Sequence, residues 1–252
     1  MPKVSLTFAE NFKYPPLLFL PMETENAYQL GFKSKVFSKI ESRIGRRELV
    51  RKLWHISPGI LGAPIILFTP KYITLFVVWF LAFIYTLQHL KLRKGWKIKV
   101  PIAEISYRQM AKKDELEGNH YMGSFLFWVT MGMICTVFPK LIALAALWVS
   151  TFGDCFNAIV GQAVGGVRIP WNKNKTVIGS LTMFVVSIFA LIAAHKVVGA
   201  SYGLGLLAFV ASVATFMESL PIYSAWDEFT VPMSTAILLW LFYGGELLSA
   251  MW

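Results

Sequence analysis

Long apolar runs alternate with short polar or basic stretches along this chain. Seven runs can be drawn, at about 54–69, 72–89, 121–138, 141–163, 177–195, 202–223 and 231–250. Each is close to the roughly 17–25 residues that a membrane-spanning helix needs. The first run is broken by Pro58 and Pro64, and the third is rich in Gly and Met. Neither feature excludes a span, because neighbouring helices can satisfy the freed backbone groups. The pattern predicts an all-α polytopic bundle of about seven transmembrane helices. Residues 36–53 read as an amphipathic helix, with Val36, Phe37, Ile40, Ile44, Leu49 and Leu53 on one face. Lys39, Arg43, Arg46 and Arg47 fill the rest, which suits the interface against anionic headgroups. The chain then divides into 1–52, an N-terminal arm with an interfacial helix, and 53–252, a membrane-embedded domain. The charged stretch 90–119 is predicted to hold a surface helix over 102–116.

Composition agrees with the pattern. The 252 residues are 56% hydrophobic and only 15% charged, with mean hydropathy +0.57; a soluble domain carries about 25% charged residues. The net charge of +10 does not point to nucleic acid, because the basic residues are sorted by side. Of the 24 Lys and Arg, all but Lys71, Lys140 and Lys196 fall before the first run or in alternate loops. The positive-inside rule then places the N-terminus in the cytoplasm and the C-terminus outside. The first 40 residues lack the charged-then-apolar order of a signal peptide. Cys135 and Cys155 lie in different runs without metal-binding spacing, and are expected to be reduced and buried. Glu246 reads as an interfacial residue. No internal repeat supports a transporter built on inverted halves.

The chemistry begins at Asp154, inside Leu141–Gln162, one of the most apolar stretches. A carboxylate at membrane depth is costly and by default marks function. Asp154, Ala158, Gly161 and Gly165 are spaced four, three and four, so they share a helix face. Small residues there allow close approach, and packing alone is the plainer explanation of the glycines. A basic loop follows with Arg168, Lys173 and Lys175, then Thr176, Gly179 and Ser180 at the start of the next helix, where free N–H groups favour anions. An acid, glycines and a cationic loop suit a metal-bound polyphosphate; the plain alternative for the loop is a positive-inside anchor. Glu218 and Asp227, with Glu228, could bring carboxylates to the same side and bind divalent metal, or merely end and cap helices. Arg47, Arg51 and His55 share a face at four-residue spacing with Lys52 adjacent. His55 enters the apolar region, as a phosphate ligand or a hydrogen-bonded buried histidine. His120 with Gly123-Ser124 opens the third run.

In this order, Arg51-Lys52-Leu53-Trp54-His55, His120-Tyr121-Met122-Gly123-Ser124, Gly153-Asp154-Cys155-Phe156-Asn157-Ala158 with Gly161 and Gly165, Lys175-Thr176-Val177-Ile178-Gly179-Ser180, and Glu218-Ser219-Leu220-Pro221 with Asp227 and Pro232 resemble the polyprenol kinase family of dolichol kinase, phytol kinase and the CTP-dependent diacylglycerol kinases. The resemblance covers about residues 48–235. It implies a membrane enzyme that moves the terminal phosphate of CTP to the hydroxyl of a lipid alcohol, with Mg²⁺ or another divalent cation. Its partners would be the lipid alcohol, the nucleotide and membrane lipids, not nucleic acid. On this basis Asp154, Lys175 and His55 are expected to be catalytic. Arg51, Lys52, Asn157, Gly161, Gly165, Lys173, Thr176, Gly179, Ser180 and His120 would contact the nucleotide. Asp154, Glu218 and Asp227 would hold the metal, on the cytoplasmic side. Two positions depart from the family pattern: Glu228 follows Asp227 where Asn is usual, and Ile178 stands where an acid is frequent. The closest rival is a CTP:phosphatidate-type cytidylyltransferase, whose C-terminal Asp-x-x-Pro and Asp-Arg-Asp stretches are not matched here; a transporter is a more distant one.

Overall fold

The computed structural model describes residues 44–223 and 225–243, apart from the side chains of residues 46, 47, 113 and 114. The predicted N-terminal arm, the part of the amphipathic helix before residue 44, and Glu246 lie outside the described residues. The first helix, α1 (Arg46–Phe68), starts after Gly45, whose φ of 79° interrupts helical backbone. Residues 46–53 therefore run straight into the first apolar segment instead of belonging to a separate surface helix. Pro58 and Pro64 are accommodated inside α1. Pro58 has no N–H to give to the Trp54 carbonyl, and the Ser57 hydroxyl donates to that oxygen instead, at 2.7 Å.

α2 (Lys71–Lys94) ends at Gly95 in left-handed conformation, with Lys91, Arg93 and Lys94 in its last turn. Cations there meet the negative end of the helix dipole. Two short helices, α3 (Pro101–Met110) and α4 (Lys113–Glu117), occupy the predicted charged loop. α5 (Met122–Val137) follows. The fourth run is three pieces: α6 (Lys140–Trp148), a π-helical turn over Val149–Gly153, and α7 (Asp154–Val164). α8 (Val177–Val198), α9 (Leu204–Ser219) and α10 (Asp227–Tyr243) complete the bundle.

The core sits around α6. Every side chain from Leu141 to Leu147 is buried, and α6 packs against α1, α5, α8 and α10. Small side chains set these approaches: a Cβ on Gly62 of α1 would stand 3.2 Å from Leu147. The outer face is also apolar. Tyr72, Phe76, Phe80 and Phe83 of α2 are all exposed, and at spacings of four, four and three they form one face. That face suits hydrocarbon better than water.

Among the described residues, Lys71–Lys94, Lys140–Val164 and Val177–Val198 are long and apolar enough to cross a membrane. Met122–Val137 and Leu204–Ser219 are apolar but 16 residues each, about 24 Å against a hydrocarbon core of about 30 Å.

One element departs from an all-helical reading. Between α7 and α8, β1 (Arg168–Ile169) and β2 (Asn172–Thr176) pair antiparallel, with Arg168 opposite Thr176 and Ile169 opposite Asn172. A strand reading Asn-Lys-Asn-Lys-Thr has no apolar alternation to announce it. Gly165 and Gly166, with φ of 72° and 102°, turn the chain out of α7 and into the hairpin through conformations that glycine adopts freely.

Candidate active site

The site is built where the π turn ends. A π turn spaces its hydrogen bonds one residue wider than an α-helix, and such turns concentrate at functional positions. It is followed at once by Asp154, whose Oδ2 accepts from Lys52 Nζ at 2.7 Å and lies 3.5 Å from His55 Nε2. Lys52 and His55 are three residues apart on α1 and so share a face. Both are buried, and the Asp154 side chain is 18% exposed. From the start of α10, Glu228 brings Oε1 to 3.8 Å from His55 Nδ1. One ligand atom from each of His55, Asp154 and Glu228 can be chosen so that all lie within 4.8 Å of one another. His55 Nε2 is buried and makes no hydrogen bond among the described residues.

Beside these groups is a chamber of about 430 Å³. Arg51, Lys52, Lys112, Arg168 and Lys175 line it, facing Glu48, Asp154 and Asp227. Five cations around three carboxylates leave an excess of positive charge for an anionic guest. Burial would lower the Lys112 ammonium, but Asp227, Glu228 and Asp154 outweigh it and hold its pKa up. Lys175 goes the other way: burial lowers it against the pull of Asp154 and Asp227.

The residue that precedes α8, Thr176, lines the chamber. It caps the helix, its Oγ1 accepting the Gly179 N–H at 3.1 Å. Gly161 of α7 seats against this cap: a Cβ there would stand 2.8 Å from Thr176 Oγ1. A Cβ on Gly179 would stand 2.5 Å from Asn157 Oδ1. These two glycines let α7 and α8 meet; of the pair for which packing was the alternative reading, Gly161 makes a close approach and Gly165 has open space around it. Asn157 Nδ2 and Ser180 Oγ are buried without a hydrogen bond among the described residues.

The other predicted residues distribute as follows. Asn157, Gly161, Gly165 and Thr176 line the chamber. Glu218 does not join Asp154. It is buried and ion-paired with Lys175, next to a second cavity of about 280 Å³ that also takes in Lys173, Trp171 and Asp227. Asp227 lines both spaces. His120 stands apart from the chamber, with Nε2 3.2 Å from the Tyr223 hydroxyl and its ring 6.4 Å from that of His89.

Two residues, Lys112 and Glu115, escaped prediction, and Glu228 stands between two readings, a metal carboxylate or a helix-end charge, until folding brings it to His55. Lys112 sits in the charged loop, where nothing local separates it from Lys113. Glu115 is buried and accepts the backbone N–H groups of Lys112 at 3.0 Å and Gly123 at 2.8 Å. It thereby fixes the turn that carries Lys112. A loop written Ala-Lys-Lys-Asp-Glu-Leu-Glu gives no periodic cue to which acid turns inward.

The comparisons with known proteins complete the picture. Probable phytol kinase 1, chloroplastic, of Oryza sativa subsp. japonica is 34% identical over 113 residues, 41% of this chain and 36% of the relative. Probable phytol kinase, chloroplastic, of Triticum aestivum is 26% identical over 217 residues, 81% of this chain and 70% of the relative. Phytol kinase 1, chloroplastic, of Arabidopsis thaliana is 31% identical over 131 residues, 47% of this chain and 43% of the relative. The rice and Arabidopsis matches thus span less than half the length of those relatives. No family model and no solved structure matches the chain. Taken with the ordered motifs and the site they build, these likenesses support membership of the polyprenol and phytol kinase family.

Proposed function

We propose that this chain is an integral-membrane lipid-alcohol kinase that transfers the terminal phosphate of a nucleotide, CTP, to the hydroxyl of a polyprenol, a phytol-like prenol or a diacylglycerol. The observation that carries the reading is the chamber in which Arg51, Lys52, Lys112, Arg168 and Lys175 surround Asp154. Phosphoryl transfer demands little covalent work from a protein; it demands positioning and charge neutralisation. The five cations would bind the phosphate chain and offset the charge that develops on the transferred group. Arg51 is oriented for this by Glu48, which accepts from its Nε at 2.8 Å.

A divalent cation fits the residues present. Asp154 and Glu228 offer oxygen ligands at one point, and Mg²⁺ is usually held by one or two carboxylates plus substrate phosphates. When bound, the ion would neutralise charge on the nucleotide's phosphates. His55 adjoins both carboxylates, with its Nε2 free of other hydrogen bonds among the described residues. His55 would take the hydroxyl proton as the lipid oxygen bonds to the terminal phosphorus. The bond from that phosphorus to the bridging oxygen breaks, and the nucleoside diphosphate leaves. Lys175 would face the leaving phosphate, with Glu218 setting its position. Seven spans, with the site on the cytoplasmic face, follow from the apolar runs and the one-sided basic loops.

The test uses purified protein in detergent with Mg²⁺ and CTP labelled at the terminal phosphate, offered polyprenol, phytol and diacylglycerol. Label should enter a lipid and be lost in Asp154→Asn. Absence of transfer to every lipid, together with pyrophosphate release on adding phosphatidate, would replace the kinase by a cytidylyltransferase.

A further inference from the structure

A second route leads to His55 from the apolar side. A cleft of about 170 Å³ lies between α1, α2 and α5, with Pro58, Leu61, Ile65, Val77, Leu81 and Trp128 among its walls. Its lining is almost wholly apolar, and Leu61 on its rim is 68% exposed. Ser57, Pro58 and Trp128 are shared with a smaller cavity of about 100 Å³, which reaches His55 and Glu228. That cavity in turn shares Arg51 and Lys112 with the cationic chamber. The three spaces therefore form a series: apolar cleft, a junction at His55, and anionic-guest chamber.

We propose that the cleft between α1, α2 and α5 holds the proximal part of the lipid alcohol's tail, with the hydroxyl at His55. This rests on the kinase reading above. The occupant follows from continuity: a cleft facing hydrocarbon at one end and a phosphate-binding chamber at the other fits a molecule apolar along its length and hydroxylic at its tip. At about 30 Å³ for each water-sized group, the two cavities take on the order of ten carbons. The remaining tail stays in the bilayer. Selectivity is therefore exerted on branching and saturation near the hydroxyl, and not on total tail length.

Two measurements test this. Val77→Trp and Leu81→Trp fill the cleft from α2, away from every charged group of the chamber. Each should raise KM for the lipid alcohol tenfold or more while KM for the nucleotide moves less than twofold. An unchanged lipid KM in folded variants overturns the assignment. A phytol analogue carrying a diazirine within its first ten carbons should crosslink to residues 57–66 and 77–81, read by mass spectrometry without turnover. Crosslinks confined to other helices overturn it equally. If the wild-type protein phosphorylates no alcohol yet crosslinks there, the kinase reading fails and the lipid cleft stands.

Discussion

Replacing Lys52 with Met isolates the ion pair at the centre of the site. Lys52 is 5% exposed, and its Nζ lies 2.7 Å from Asp154 Oδ2. Removing one member of a buried pair costs about 3–5 kcal/mol where the other is left charged and uncompensated. The low end applies, because Lys175 and the other cations of the chamber still face Asp154, whose side chain is 18% exposed. On the soluble-domain scale of about 2–4 °C per kcal/mol, a loss of about 3 kcal/mol lowers Tm by roughly 6–12 °C. Asp154→Asn should cost a similar amount, since it strands the buried ammonium instead. The double variant removes both charges and should be no less stable than either single one. Thermal unfolding of the four proteins in one detergent, followed by tryptophan fluorescence, reads the cycle. If the two losses simply add, the groups are not coupled and the electrostatic account of the site is wrong.

Three further outcomes are expected. Gly179→Val places side-chain carbon where Asn157 Oδ1 stands 2.5 Å from a bare Cβ, so overpacking should cost about 1–3 kcal/mol, while Gly203→Val, with open space around it, should leave Tm nearly unchanged. Thr176→Ala removes the cap on Gly179 N–H and should cost about 1 kcal/mol; Thr176→Ser should restore most of it in the same thermal scan. Glu228→Gln should raise the Mn²⁺ concentration needed for half-maximal binding, measured by electron paramagnetic resonance, by at least about 10-fold, since disturbing even a residue that supports a metal ligand costs about that much; an unchanged binding curve would remove Glu228 from the metal site.

Much of this was legible in the sequence for a definite physical reason. Membrane helices must be long and apolar, so apolar runs mark themselves, and among the described residues Lys71–Lys94, Lys140–Val164 and Val177–Val198 are long and apolar enough to cross. Asp154 stood out because charge is expensive in such a run, and the structure does bring Lys52, His55, Lys175 and the Thr176–Gly179 cap around it or its chamber. What escaped depends on distance through space. Glu218 and Glu228 are both acids near a helix end, and composition cannot say which meets Lys175 and which meets His55. Lys112 and Glu115 lie in a loop whose charges carry no period. The hairpin of Arg168–Ile169 and Asn172–Thr176 is held by two positive-φ glycines and not by any apolar pattern, so it read only as a basic loop.

The π turn at Val149–Gly153 has a consequence for how the fourth helix can change. Each residue of an α-helix advances the azimuth by about 100°, and each residue of a π turn advances it less, because the hydrogen bonds there span one residue more. The wide turn therefore absorbs one extra residue and leaves Leu141–Leu147 and the segment from Asp154 onward close to the phase that an unbroken α-helix would give them. Deleting one residue of the turn, for example Thr151, would let it relax to α geometry with Asp154 still facing Lys52, whereas the same deletion within Asp154–Val164 would swing the residues beyond it by about 100°.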